Sequence, residues 1–195
     1  EGITQKNVEG QTLACIVFLE KELNAIDESG ASENTPLLDQ DFTIDNLAQE
    51  LQSGRYSTIH LKTHSEFSSN PNKTFIAAYK SLIKPNDLRG LIQIASESRG
   101  QPLDLLVLSA CSAAEGDDRA ILGLAGVATL TGTRSAVSAL RAADDDFNTK
   151  FMKVFYEKLS TTGMTKAKAM QQSQVEFIDQ EQQHWSNYIL VGDWR

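Results

Sequence analysis

The stretch that decides the fold is LDLLVLSAC, residues 103–111. It is almost continuously apolar as far as Leu108, then changes to small residues and ends at Cys111. A run with no polar face is typical of a strand that is buried on both sides in the middle of a parallel sheet. The sequence therefore predicts a central strand here, with Cys111 at its carboxyl end.

Further strands and helices are predicted on both sides of this run. Alternation and β-branched residues favour strands in GRYSTIHLKTH (54–64, ending near His64), TFIAAY (74–79), RSAVSAL (134–140) and HWSNYILVGDW (184–194). Apolar periodicity and end signals favour helices at 12–26, 42–51 with Thr43 as N-cap, 85–98, 120–130 ended by Gly132, 147–159, and from Thr165 onward. The opening residues 1–11 carry no clear pattern, and we interpret 65–73 and 112–119 as loops.

Strands that alternate with helices indicate the α/β class. The expected architecture is a three-layer α/β/α sandwich with a mainly parallel central sheet. The length of 195 residues suits a single domain over 1–195. The chain opens at Glu1 rather than at a methionine, so we expect it to be a fragment of a longer protein.

Composition excludes some classes of partner. The formal net charge of −8 argues against direct binding to nucleic acid or to an anionic membrane surface. Two cysteines are too few for a disulfide framework, which favours a reducing, cytoplasmic location. No stretch approaches the roughly 20 apolar residues of a membrane span.

Two reactive side chains end predicted strands. Parallel sheets collect their chemistry at the carboxyl ends of their strands, where His64 and Cys111 are expected to lie. A cysteine nucleophile needs a nearby group that moves protons, and histidine suits that task near neutral pH. Their separation is close to the roughly 50 residues found between these residues in caspases. On spacing alone, a buried structural cysteine and an unrelated histidine are the favoured interpretation, because free cysteine is commonly buried. His60, four residues earlier, is expected to share the face of His64 and to be structural.

The sequence motifs around these residues resemble those of the CHAT domain family of caspase-like peptidases, in particular its bacterial and cyanobacterial members. The resemblance rests on YSTIHLKTHSEF (56–67), on LLVLSACSAAEGDDRAILGLAGVATLTGTRSAVSAL (105–140) and on the closing HWSNYILVGDW. It runs from about residue 13 to residue 195. The family histidine, in a motif like A-T-H-G, falls on His64, and its cysteine, in L-S-A-C, falls on Cys111.

The resemblance implies a cysteine endopeptidase that acts on a protein or peptide substrate. Cys111 would be the nucleophile, His64 the proton-transfer partner, and the backbone N–H groups of Ser65 and Cys111 the oxyanion donors. It implies no metal or organic cofactor, and it implies control by an attached or partner module such as TPR repeats.

Two departures from the family pattern support an alternative, a catalytically impaired domain that serves as a protein-interaction or regulatory module. Ser65 replaces the glycine that usually follows the histidine. Arg141 stands where a tryptophan is common.

The acidic run Asp144–Asp146 has two interpretations, which can coexist. Carboxylates at the start of the helix that contains Phe147 would cap it and complement its dipole. The resemblance to caspase relatives also suggests an acidic pocket for a basic side chain next to the cleaved bond.

Overall fold

The computed structural model of the chain describes residues 6–8, 11–13, 37–68, 70–109, 112–113, 132–140, 144–178 and 183–195. The strands among them are β1 (Lys6–Val8), β2 (Gln11–Leu13), β3 (Thr58–Leu61), β4 (Ser65–Phe67), β5 (Phe75–Ala78), β6 (Ser81–Ile83), β7 (Leu105–Leu108), β8 (Ser112–Ala113), β9 (Ser135–Ala139) and β10 (Tyr188–Gly192). The α-helices among them are α1 (Ile44–Leu51), α2 (Pro85–Arg99), α3 (Asp145–Leu159) and α4 (Lys166–Phe177).

The central sheet has the strand order β10–β9–β7–β3. Strands β3, β7 and β9 are parallel, and β10 closes the edge antiparallel to β9. All four residues of β7 are buried, as expected for a strand between two parallel neighbours. The predicted central strand and the mainly parallel sheet are therefore confirmed.

Helices flank this sheet. On one face, His60 of β3 contacts Tyr156 of α3, which packs against α4. Ile59 and Leu61 alternate to the opposite face and are buried in the same core as the apolar side chains of α1 and α2, which pack against each other. This arrangement confirms the caspase-like three-layer architecture.

Helix ends follow the sequence signals. The hydroxyl of Thr43 accepts a hydrogen bond from the N–H of Asn46 at 3.1 Å, so the predicted N-cap of α1 is confirmed. Pro85 is the first residue of α2, and Thr165 caps α4 through the N–H of Lys168 at 3.2 Å. Among the helices of the described residues, none combines the length and apolar composition needed to cross a bilayer.

A second sheet, with the order β6–β5–β4–β8, was not predicted. Residues Ser65–Phe67 form β4, so the predicted loop over 65–73 is wrong at its start. Strand β4 pairs antiparallel with β5 and parallel with β8, and Glu66 lies opposite Ser112. A strand of three residues carries too little local pattern to be recognised, because non-local pairing decides its conformation.

The amino-terminal prediction also needs correction. The unpatterned opening contains β1, which pairs antiparallel with β2, and Val8 lies opposite Gln11. Thr12 and Leu13 belong to β2 rather than to a helix beginning at residue 12. The rest of that predicted helix and the one over 120–130 lie outside the described residues. Gly132 itself has a φ of 78°, the left-handed conformation typical of a residue that follows a helix.

Candidate active site

His64 lies in the turn between β3 and β4, not on β3 as the sequence suggested. Strand β3 ends at Leu61, so His60 and His64 do not share one strand face. The turn is fixed to β5, because the N–H of Ala77 donates to the carbonyl of His64 at 2.7 Å. The hydroxyl of Thr63 donates to the carbonyl of Ala77 at 2.9 Å. The backbone on both sides of the His64 Cα is thus held in place.

The imidazole of His64 is half-buried and has one nitrogen available. Its Nε2 is buried and has no hydrogen-bond partner among the described residues. Burial lowers the pKa of His64 from its usual value of 6.5, and the negative charge of Asp145 opposes this shift only in part. The ring is therefore neutral at pH 7, and a neutral imidazole can accept a proton.

Ser65 fits its place in β4 without backbone strain. Among the described residues, the non-glycine residues with positive φ are Asp39 and Lys80, so Ser65 does not need the conformational freedom of glycine. It is buried and lies opposite Ile76 in β5. Since the bonding direction of peptide groups alternates along a strand, the N–H of Ser65 faces the side of β4 where β8 lies.

Cys111 lies outside the described residues, and so does Arg141. The described residues on either side of Cys111 meet the two ends of the His64 turn. The N–H of Ser109 donates to the carbonyl of Leu61 at 3.2 Å. Ser112 pairs with Glu66. The chain is therefore joined at Leu61–Ser109 and at Glu66–Ser112, on either side of His64 and on either side of Cys111.

A buried polar network holds Ser109 in place. Its hydroxyl lies 2.9 Å from Nε2 of His60, whose Nδ1 lies 3.1 Å from the hydroxyl of Tyr156. The hydroxyl of Tyr188 in β10 lies 3.2 Å from the carbonyl oxygen of Ser109 and 2.8 Å from Oδ1 of Asn148, and these two acceptors share its one hydrogen. The structural role expected for His60 is confirmed. The network connects β3, α3 and β10 to the chain two residues before Cys111.

Replacing Tyr188 by phenylalanine should lower the free energy of unfolding by about 1–3 kcal/mol, because the buried oxygens of Ser109 and Asn148 lose the donor that they share. Urea unfolding followed by circular dichroism measures the change. Tyr56→Phe is the matched control, because the Tyr56 hydroxyl donates to the partly exposed Glu50 at 2.9 Å, where water can replace it. An equal loss in the two variants would show that burial of the Ser109 network adds no stability.

The acidic run caps α3, as one of its two interpretations predicts. Oδ1 of Asp144 accepts hydrogen bonds from the N–H groups of Asp146 at 2.8 Å and Phe147 at 3.2 Å. Asp145 forms an ion pair with Lys62 at 2.9 Å. Asp144 and Asp146 are exposed, whereas the Asp145 side chain is 28% exposed.

Lys62 is the charged residue near this site that the sequence reasoning missed. Its side chain has no exposed area. One signal was present, because the motif A-T-H-G has a small residue where this chain has lysine. The partner could not be identified from the sequence, since it lies 83 residues farther along the chain.

The sequence model of the CHAT domain family matches residues 12–193, which is nearly the whole chain. No curated protein matches the chain. The family match spans the two four-stranded sheets, the His64 turn and the position of Cys111.

Proposed function

Because the chain belongs to the CHAT domain family, a family of caspase-like cysteine peptidases, we propose that it is a cysteine endopeptidase that uses Cys111 and His64. One observation carries this proposal. The chain on either side of His64 is joined to the chain on either side of Cys111, at Leu61–Ser109 and at Glu66–Ser112. We infer from these two contacts that the side chains of His64 and Cys111 lie within reach of each other.

The state of His64 suits the role of a base. The buried Nε2 has no partner among the described residues, and in the tautomer that carries the ring hydrogen on Nδ1 this nitrogen can accept a proton. The lowered pKa keeps the imidazole neutral at pH 7. The hydrogen bonds that join the turn to β5 limit its movement during proton transfer.

The reaction proceeds through a thioester. His64 accepts the thiol proton as the sulfur of Cys111 bonds to the scissile carbonyl carbon. When the tetrahedral intermediate collapses, the C–N bond breaks and His64 gives this proton to the leaving amine. Water, deprotonated by His64, then attacks the thioester carbonyl, the C–S bond breaks and His64 returns the proton to the sulfur of Cys111. The new carboxylic acid is released and loses its proton to solvent at pH 7. The N–H groups of Ser65 and Cys111 stabilise the oxyanion, and the backbone of Ser65 is compatible with this role because it has no positive φ. No metal or organic cofactor takes part.

Substrate binding involves the start of α3 in this proposal. The exposed carboxylates of Asp144 and Asp146 can attract a basic side chain next to the cleaved bond. Asp145 contributes less negative charge, because Lys62 is paired with it. CHAT domains are associated with protein substrates and with TPR repeats in general. We infer that an attached or partner module controls access to the site, with residues 1–195 forming one domain.

The second candidate function is a non-catalytic interaction module. Arg141, at the position where the family commonly has tryptophan, favours it, because a changed pocket wall can abolish substrate binding. Ser65 no longer supports this candidate on conformational grounds, since its backbone needs no glycine.

Alkylation distinguishes the two candidates. Iodoacetamide should modify Cys111 faster than a free model thiol at pH 7, and His64→Ala should slow the reaction about tenfold or more, because the thiol loses its proton acceptor and less thiolate forms. Mass spectrometry of the peptides resolves each site, so Cys15 serves as the reference thiol in the same sample. A Cys111 that reacts like a model thiol and is insensitive to His64→Ala would favour the interaction module.

A further inference from the structure

The ion pair of Lys62 and Asp145 takes no part in the mechanism above, yet it joins two parts of the site. Lys62 lies two residues before His64, and Asp145 lies in the first turn of α3. The ammonium donates to Oδ1 of Asp145 at 2.9 Å, and the lysine side chain has no exposed area. A buried ammonium is unfavourable unless an anion pairs with it, so this contact is held strongly. The pair therefore fixes the His64 turn to the start of α3.

Asp145 also acts on His64 through its charge. The carboxylate favours the protonated imidazole, in opposition to burial. In the part of the chain that the structure describes, the acidic residues adjacent in sequence to this pair and to the turn are the exposed Asp144, the N-cap of α3, the exposed Asp146 on α3 and the half-buried Glu66 on β4. Water screens the two exposed groups, and among these described residues Asp145 is the one whose charge acts on the His64 imidazole. The cation that balances Asp145 is Lys62.

We propose that Lys62 is a positioning residue for His64, which anchors the histidine turn to α3 and balances the Asp145 charge that would otherwise hold a proton on the imidazole. This inference rests on the proposed function, in which the neutral His64 is the base. It makes Lys62 a determinant of the pH range in which the peptidase works. Acidification protonates His64 and stops the reaction, and loss of Lys62 would move this limit to higher pH.

NMR titration of the full chain tests the proposal. The chain has three histidines, and the ring signal that disappears in His64→Gln identifies His64. In wild type it should titrate below pH 6.5. Lys62→Met keeps the apolar stem and removes the charge, and it should raise the His64 pKa by about half a unit or more. Asp145→Asn should lower the pKa of His64, because the positive charge of Lys62 then has no carboxylate at position 145 to neutralise it.

The double variant Lys62→Met/Asp145→Asn removes both charges and is the control, with a His64 pKa between those of the single variants. A His64 pKa that is unchanged or lowered in folded Lys62→Met would overturn the proposal. If Lys62→Met does not fold, the double variant is compared with Asp145→Asn. A higher His64 pKa in the double variant supports the proposal, and an equal value refutes it. The titration needs no catalysis, so its failure is distinct from unchanged cleavage by Cys111→Ala, which would refute the peptidase itself.

Discussion

Cys111→Ala should reduce peptide cleavage by about 10³-fold or more, because the variant has no nucleophile with which to form the thioester. His64→Ala should cause a loss of similar size, since the thiol then keeps its proton. Two residues that act as one unit give non-additive effects. The double variant should therefore be little worse than either single one. The measurement is kcat/KM on a peptide library with Arg or Lys at the cleaved bond, read by mass spectrometry.

Cys15→Ala is the matched control for this loss. It removes the other cysteine of the chain and should leave kcat/KM within about twofold of wild type, as expected for a residue outside the chemistry. Circular dichroism should show that all variants are folded. Cleavage by Cys111→Ala at the wild-type rate would refute the proposed mechanism. If the loss of kcat/KM in the double variant equals the product of the losses in the two single variants, Cys111 and His64 do not act as a dyad.

Asp145→Ala should lower the free energy of unfolding by about 3–5 kcal/mol, the second large effect we expect. The substitution removes a carboxylate that pairs with Lys62, whose side chain is fully buried, and it leaves a buried positive charge with weaker compensation. Urea unfolding at pH 7 measures the loss. A change below about 1 kcal/mol would contradict the view that the pair is buried and strongly held.

Two controls separate the ion pair from the general effect of acidic residues at a helix start. Asp146→Ala removes an exposed carboxylate from the same turn of α3 and should cost under about 1 kcal/mol. Lys62→Met should cost less than Asp145→Ala, because Asp145 is 28% exposed and keeps some contact with water. If Lys62→Met lowered the free energy of unfolding more than Asp145→Ala, the carboxylate left without its cation would be the more costly of the two unpaired charges.

Much of the fold could be predicted because its main elements carry their own patterns. Strand β7 is apolar throughout, and α1 has its cap at Thr43. Strand β4 could not be predicted, since its three residues take their conformation from β5 and β8. His64 could be identified from its motif, but its position in a turn beyond β3 depends on hydrogen bonds to Ala77.

The charges around the site were harder to anticipate than its chemistry. A run of three aspartates does not show which carboxylate is paired, which caps the helix and which faces water. That division depends on Lys62, which approaches α3 only when the chain is folded. Burial of a lysine is also contrary to its usual preference for the surface, so residue type gave no indication.

The contact of Tyr188 with Ser109 has a consequence for the order of events during synthesis. Strand β10 follows every other strand of the central sheet in the sequence, so the ribosome makes it last. Until then, the carbonyl of Ser109 lacks its bond from Tyr188, and β9 has an open edge. A nascent chain therefore carries the cysteine segment before the support of that segment is complete.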